Sequence, residues 1–165
     1  GVTVSGGEPL AQPAFTADLL RLCRENGIGT ALETCGFAGE EAVGTVLPFC
    51  DFVLFDVKET DPERHLRFTG VPLEPILETL RRIAERKIPF RLRLPVIPGF
   101  NDREEHFAKA KELAAGFSSC RGLEVMPYHS LGQYKYVQLG KPYLCADVKE
   151  PTPETIARWR AAVEG

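Results

Sequence analysis

Val2-Thr3-Val4-Ser5-Gly6-Gly7-Glu8-Pro9 is a short β-branched run that stops at two glycines, a carboxylate and a proline, and a segment of helical periodicity follows it. Gly6 and Gly7 allow positive φ and carry no Cβ, Glu8 adds an acceptor to the turn, and Pro9 ends the strand. The stretch reads as a strand whose end leaves backbone open to a ligand. An ordinary strand-to-helix turn accounts for Gly-Gly-Glu-Pro equally well, so its meaning depends on what recurs downstream.

The same order does recur. Short apolar runs predict strands near 2–5, 29–33, 52–57, 90–96 and 122–126. Helical periodicity predicts helices near 13–26, 39–47, 73–87, 103–116 and 152–164, with a short helical turn around 61–68. Asp61-Pro62-Glu63 and Thr152-Pro153-Glu154 pair an N-cap with proline at the first helical position, and Asn26-Gly27 is a helix stop. Strands alternating with helices predict an α/β fold with consecutive parallel strands. Right-handed crossovers then place the helices on one outer face of a partial parallel (β/α) barrel, with residues 1–165 as a single domain and the ligand site at the strand C-termini.

The composition fits such a domain: 165 residues, 44% hydrophobic and 26% charged. A net charge of −3 provides no basic footprint for nucleic acid. No apolar run approaches the roughly 18 residues of a membrane span, and a cytoplasmic location is expected. The five cysteines, at 23, 35, 50, 120 and 145, include no C-x-x-C pair, which argues against a disulfide scaffold or a zinc site. Cys23 falls on an apolar helix side and is expected to pack there, while Cys35 stands at a strand end. His65 and His106 lie in charge-rich helical surroundings and are expected at the surface, while Lys135 either faces a partner or belongs to a solvated loop.

The predicted strand ends carry the chemistry. After the first come Gly6, Gly7 and Glu8; after the second, Glu33, Thr34, Cys35 and Gly36; the third ends in Asp56-Val57-Lys58; the fourth holds Arg91 and Arg93; His129 follows the fifth. Alternation puts Leu54, Asp56 and Lys58 on one face and Val53, Phe55 and Val57 on the other, and it groups Arg91 with Arg93 on the inward face. Charges inside a barrel are costly unless paired or bound to a ligand. Taken singly, Asp56 with Lys58 is an internal ion pair, Arg91 reaches solvent and His129 is a loop histidine. Their convergence on one rim favours a ligand. Carboxylates and backbone carbonyls take an ammonium, Lys and Arg take a carboxylate, and an imidazole meets a ribose or base edge. S-adenosylmethionine answers that description, whereas neither a G-x-G-x-x-G after a strand nor a Walker loop is present.

Ser5-Gly6-Gly7-Glu8-Pro9, Leu32 to Gly36, Phe55-Asp56-Val57-Lys58, Arg93 through Pro98-Gly99, and Met126-Pro127-Tyr128-His129 together resemble successive motifs of radical S-adenosylmethionine (SAM) enzymes. More narrowly, they resemble the glycyl radical enzyme activating enzymes, a group that includes the pyruvate formate-lyase activating enzyme. The likeness runs from the first residue to about Tyr143. Gly-Gly-Glu-Pro marks the superfamily broadly, while Asp-x-Lys and the segment Pro127 to Gly132 are more specific to activating enzymes.

The resemblance implies that the backbone of Gly6 and Gly7, with Glu8 and Asp56, receives the methionyl ammonium of the cofactor. Lys58 and Arg93 face its carboxylate, and His129 lies near the ribose. A monovalent cation beside that carboxylate maps to Glu33, Thr34, the Leu54 carbonyl and Asp56, with Glu33 standing where the family more usually has aspartate. The family's [4Fe-4S] cluster sits on a C-x-x-x-C-x-x-C loop that precedes the Gly-Gly-Glu-Pro strand. No such loop occurs in these residues, and the chain reads as the C-terminal portion of an activating enzyme that is inactive alone. In the intact enzyme, a 5′-deoxyadenosyl radical abstracts hydrogen from a backbone glycine of a partner glycyl radical enzyme, with flavodoxin or ferredoxin as electron donor. The partner's glycine loop is expected to cross a groove near His129 to Tyr136, and the exposed leading strand is expected either to self-associate or to be blunted by contacts with another chain. Three other readings stand beside this one. They are a radical SAM enzyme acting on a small molecule or on ribonucleotide reductase, a non-catalytic cofactor- or partner-binding module, and an aldolase-like barrel with Lys58 as a Schiff-base lysine.

Overall fold

The computed structural model describes residues 1–164. Five parallel strands form one sheet in sequential order: β1 (Val2–Val4), β2 (Thr30–Thr34), β3 (Phe52–Asp56), β4 (Phe90–Val96) and β5 (Cys120–Pro127). They alternate with α1 (Pro13–Glu25), α2 (Glu40–Val46), α3 (Pro62–Thr69), α4 (Glu74–Glu85) and α5 (Glu104–Ala115), and the chain closes with α6 (Gln133–Gln138) and α7 (Pro153–Val163). Strictly neighbouring parallel strands are the arrangement of a partial (β/α) barrel, and β1 is one edge of the sheet.

The anticipated element boundaries hold to within about two residues, because caps fix them. Asp61 accepts from the backbone N–H of Arg64 at 3.0 Å, and Thr152 accepts from that of Thr155 at 3.3 Å. Gly27 closes α1 at φ +71°. The short helix α6 was not anticipated: Gln-Tyr-Lys-Tyr-Val-Gln has neither a cap nor an apolar stripe, and its side chains are exposed. β5 starts two residues early, at a register shift opposite Phe90 and Leu92, where Gly122 takes φ +106°.

One face of the sheet is dry. Leu32, Val53, Phe55, Leu92, Leu94 and Val96 are buried against Leu20, Val46, Leu80, Ile83 and Phe107 of the helices. Each such side chain contributes about 1.5–3 kcal/mol by leaving water. The alternate residues Ala31, Glu33, Leu54, Asp56 and Pro95 are only partly buried, so the face that carries the charges is the open one. Gly36, just past β2, has φ +77°, and a Cβ there would lie 2.5 Å from the Phe55 ring. Its carbonyl is held by Thr79 Oγ1 at 2.8 Å, which ties this loop to α4.

Both helix histidines are buried, against the expectation that they are solvated. His65 is 1% exposed, with Nδ1 2.9 Å from the Val71 carbonyl, and His106 is fully buried, with Nδ1 3.0 Å from Thr60 Oγ1 and 3.4 Å from Glu59 Oε1. Charged neighbours in sequence occupy the other helix face and do not report on the inward one. Burial holds the His106 imidazole below its ordinary pKa and therefore neutral. Burial works against the Glu59 carboxylate too, but the Asp61 N–H and the Arg103 guanidinium outweigh it and hold its pKa below the usual range.

Two predictions follow from this packing. Gly36→Ala should cost about 2–4 kcal/mol, from left-handed backbone plus overpacking against Phe55; a urea midpoint that implies less than about 1 kcal/mol would contradict the clash. Acid should destabilise the fold. The unfolded chain protonates His106 near 6.5, above its native value, and Glu59 near 4.5, again above its native value. The Glu59 contribution is therefore complete above about 4.5 and that of His106 above about 6.5, and both are lost as pH falls. Urea midpoints between pH 8 and 5 should decline below about 6.5, and His106→Gln should flatten that decline; an unchanged slope would mean that His106 is not held neutral.

Candidate functional site

The strand C-termini bring most of the anticipated groups to one rim, because parallel pairing aligns them. The register sets Glu33 beside Leu54 and Asp56 beside Arg93. Arg93 reaches across all three strands. Its Nε and Nη2 donate to Asp56 Oδ1 at 2.9 and 2.8 Å, and Nη2 meets Glu33 Oε1 at 2.7 Å. The Arg93 side chain is 10% exposed and that of Asp56 16%. Removing one partner of such a buried pair costs about 3–5 kcal/mol. The guanidinium lowers the Glu33 pKa, and the two carboxylates raise that of Arg93 despite its burial. Lys58 Nζ stands 3.5 Å from Asp56 Oδ2 and is more exposed. Arg91, expected inward with Arg93, is exposed and belongs to no ion pair in this group, because it lies two residues back from the rim.

Glu8 faces its own loop. Oε1 accepts from Thr34 Oγ1 at 2.7 Å and from the Leu10 N–H at 3.0 Å, and Oε2 accepts from the Cys35 N–H at 2.9 Å. Thr34 Oγ1 in turn accepts from the Gly36 N–H at 2.9 Å. The carboxylate thus pins the turn after β1 to the end of β2. Gly6 has φ +123°, and a Cβ placed on Gly6 or Gly7 would meet nothing within 4 Å, so this backbone is open to an approaching molecule. His129 follows β5 and is exposed, with no recorded bond to the charged group. Cys35 is half-buried; burial raises its pKa and keeps it a thiol. A cavity of 210 Å³ beside Asp56 and Lys58 is walled by Cys35, Phe37, His65 and Ile76.

The chemistry of the rim is compatible with a zwitterion such as S-adenosylmethionine: exposed glycine backbone and carboxylates suit an ammonium, and two cations suit a carboxylate. The position implied for a monovalent cation is filled differently. The Arg93 guanidinium lies between Glu33 and Asp56, and the Thr34 hydroxyl is committed to Glu8 and Gly36. An iron–sulfur cluster does not fit: among the described residues no three His, Cys, Asp or Glu side chains converge as ligands. Anaerobic reconstitution of the 165-residue chain with iron and sulfide is therefore expected to leave no stoichiometric broad visible absorbance. Cysteine-dependent cluster formation would overturn this assignment.

Sequence reasoning missed three groups behind the rim, Glu59, Asn101 and Arg103. Glu59 is fully buried, and both of its oxygens accept from Arg103 Nη2, at 2.9 and 2.8 Å. No local pattern announces this network, because its members come from the loop after β3 and the segment before α5 and meet only in the folded chain.

The Radical SAM superfamily profile matches residues 1–110. The isethionate sulfite-lyase activating enzyme of Nitratidesulfovibrio vulgaris is 41% identical over 99% of this chain and 53% of its own length. The pyruvate formate-lyase 1-activating enzyme of Escherichia coli is 32% identical over 99% of this chain and 68% of its own. A crystal structure of a domain of the pyruvate-formate lyase-activating enzyme from Bacteroides vulgatus superposes with a TM-score of 0.77 at 31% identity, over 99% of this chain and 92% of that one. The chain spans about half the length of the first of these relatives. No helix is long and apolar enough to cross a membrane among the described residues. With the open glycine turn and the Arg93 cluster at the ends of sequential parallel strands, these likenesses agree that the chain belongs to the radical SAM superfamily, among its glycyl radical enzyme activating enzymes.

Proposed function

We propose that these 165 residues form the S-adenosylmethionine-binding rim of an enzyme that installs a glycyl radical on a partner enzyme. The observation that carries this reading is the balanced cluster of Glu33, Asp56, Lys58 and Arg93 beside the open backbone of Gly6 and Gly7. The bound cofactor supplies the one-electron chemistry that removes hydrogen from a glycine Cα. The chain's own residues bind and orient it. Gly6 and Gly7 carbonyls with Asp56 take the ammonium, Lys58 and Arg93 take the carboxylate, and His129 meets the ribose.

Glu8 supports that site by fixing the glycine turn, since its carboxylate is already bonded to the protein. Arg93 stands in this reading where a monovalent cation was expected among Glu33, Thr34 and Asp56; a cation there would have to displace the guanidinium. The partner's glycine loop crosses the open face toward His129. Leu131, Tyr134 and Val137, all strongly exposed there, offer it apolar contacts. A flavodoxin or ferredoxin as electron donor and a cytoplasmic setting belong to the same reading.

In the enzyme carrying this chain, Asp56→Ala and Lys58→Ala should each weaken S-adenosylmethionine binding measured by calorimetry, by about 2–5 kcal/mol for Asp56. Electron paramagnetic resonance should detect a glycyl radical on a candidate partner with the wild type and much less with either variant. Unchanged affinity in both variants would mean that the cofactor sits elsewhere. Wild-type binding without any glycyl radical on the partners tried would point to a different substrate.

A further inference from the structure

Of the four charged residues grouped around Arg93, Lys58 is the least restrained. Its side chain is 44% exposed, and its one partner there is Asp56 at 3.5 Å. What orients it is the backbone from which it projects, and that backbone is tied down twice. Asn101, 4% exposed, donates from Nδ2 to the Lys58 carbonyl at 2.7 Å and to the Pro95 carbonyl at 2.8 Å, and its Oδ1 accepts from the Ile97 N–H at 2.8 Å. A single side-chain amide thus clamps the residue leaving β3 to the end of β4, the strand that carries Arg93. Both of its donor hydrogens are used, so the residue must be an amide: an aspartate would face two carbonyls with an oxygen.

The second tie is one residue further on. Glu59 accepts from the backbone N–H groups of Thr60 at 2.8 Å and Asp61 at 3.0 Å, and both of its oxygens accept from Arg103 Nη2. Arg103 immediately precedes α5, and His106, on its first turn, closes on the same carboxylate through Nδ1. A fully buried carboxylate is costly, and a surface turn that merely reversed the chain would not need one. Its partners fasten the β3–α3 loop to the start of α5. Between them the two ties set where the Lys58 Cα stands relative to Arg93, while neither Asn101 nor Glu59 lines the open Gly6–Gly7 turn or joins the Arg93 ion-pair group.

We propose that Asn101 and Glu59 are positioning residues for cofactor binding: they hold Lys58 at the distance from Arg93 at which both cations engage one carboxylate. This rests on the assignment of Lys58 to the cofactor made above. A merely structural role predicts a loss of stability that is indifferent to Lys58, whereas a positioning role predicts an effect transmitted through it. The test is a double-mutant cycle in the cluster-loaded enzyme, with the S-adenosylmethionine dissociation constant by calorimetry as readout and exchange of the Val57 amide hydrogen, which bonds to the Arg93 carbonyl at 2.8 Å, as a second.

Asn101→Ala should weaken binding about tenfold and speed Val57 exchange, with kcat at saturating cofactor within about twofold. In a Lys58→Ala background the same change should leave affinity within about twofold of the single variant. Glu59→Gln, which keeps the shape of the side chain, should behave likewise and carries the test should Asn101→Ala not fold. Should Lys58→Ala weaken binding while Asn101→Ala and Glu59→Gln leave it unchanged, or act additively with it, the positioning role is overturned and the site assignment stands. If Lys58→Ala itself leaves affinity untouched, both fall.

Discussion

The Arg93 guanidinium, caught between the carboxylates of Glu33 and Asp56, is the contact on which the rim depends. Arg93, Asp56 and Glu33 come from three successive strands, so the contact exists only while β2, β3 and β4 keep their parallel register. A planar, permanently charged fork suits the role, because it meets two carboxylates without needing a proton. With Lys58 the group holds two acids and two bases, hence no net charge. A zwitterion can enter such a group by exchanging partners, its ammonium for a protein cation and its carboxylate for a protein anion. A lone phosphate would leave Glu33 and Asp56 repelling it.

Around that centre, polar side chains stitch together the ends of the first four strands. Glu8 joins the turn after β1 to Thr34 and Cys35 at the end of β2. Arg93 joins β2 and β3 to β4, and Asn101 joins the Lys58 carbonyl to Pro95 and Ile97. The end of β5 meets β4 through backbone, by the Tyr128 N–H to the Val96 carbonyl at 2.9 Å. Beyond it, His129 and the side chains of Leu131, Tyr134 and Val137 are exposed, while Ser130 is held by the Glu150 carboxylate at 2.8 Å.

Burial on the other face is what lets the rim carry charge. Phe55 of β3 and Val57 just past its end, with Leu92 and Leu94 of β4, alternate with Asp56 and Arg93 and are fully or nearly fully withdrawn from water. The apolar half of each strand stabilises the sheet, and the other half is free to be polar. Cavities on the helix side, such as the 260 Å³ space lined by Val57, Leu77 and Leu113, belong to packing between α4 and α5 rather than to the rim.

Sequence by itself determined the local and periodic features. Five short apolar runs, caps at Asp61 and Thr152 and the Gly27 stop specify where strands and helices begin and end, because those signals act over a few residues. Alternation likewise assigned Asp56 and Lys58 to the face opposite Phe55. Only tertiary structure decided directions and partners. Glu8 was legible as a carboxylate on a turn, but its commitment to Thr34 and Cys35 requires the end of β2 to lie alongside. Arg91 and Arg93 share a face, yet only Arg93 stands level with Asp56. His65 and His106 sit among charges in sequence and are nonetheless buried, because a helix shows opposite faces to water and core within one turn. Glu59, Asn101 and Arg103 left no local signal, since Asn101 meets Lys58 across 43 positions and Arg103 meets Glu59 across 44, contacts that exist only once the parallel strands are paired.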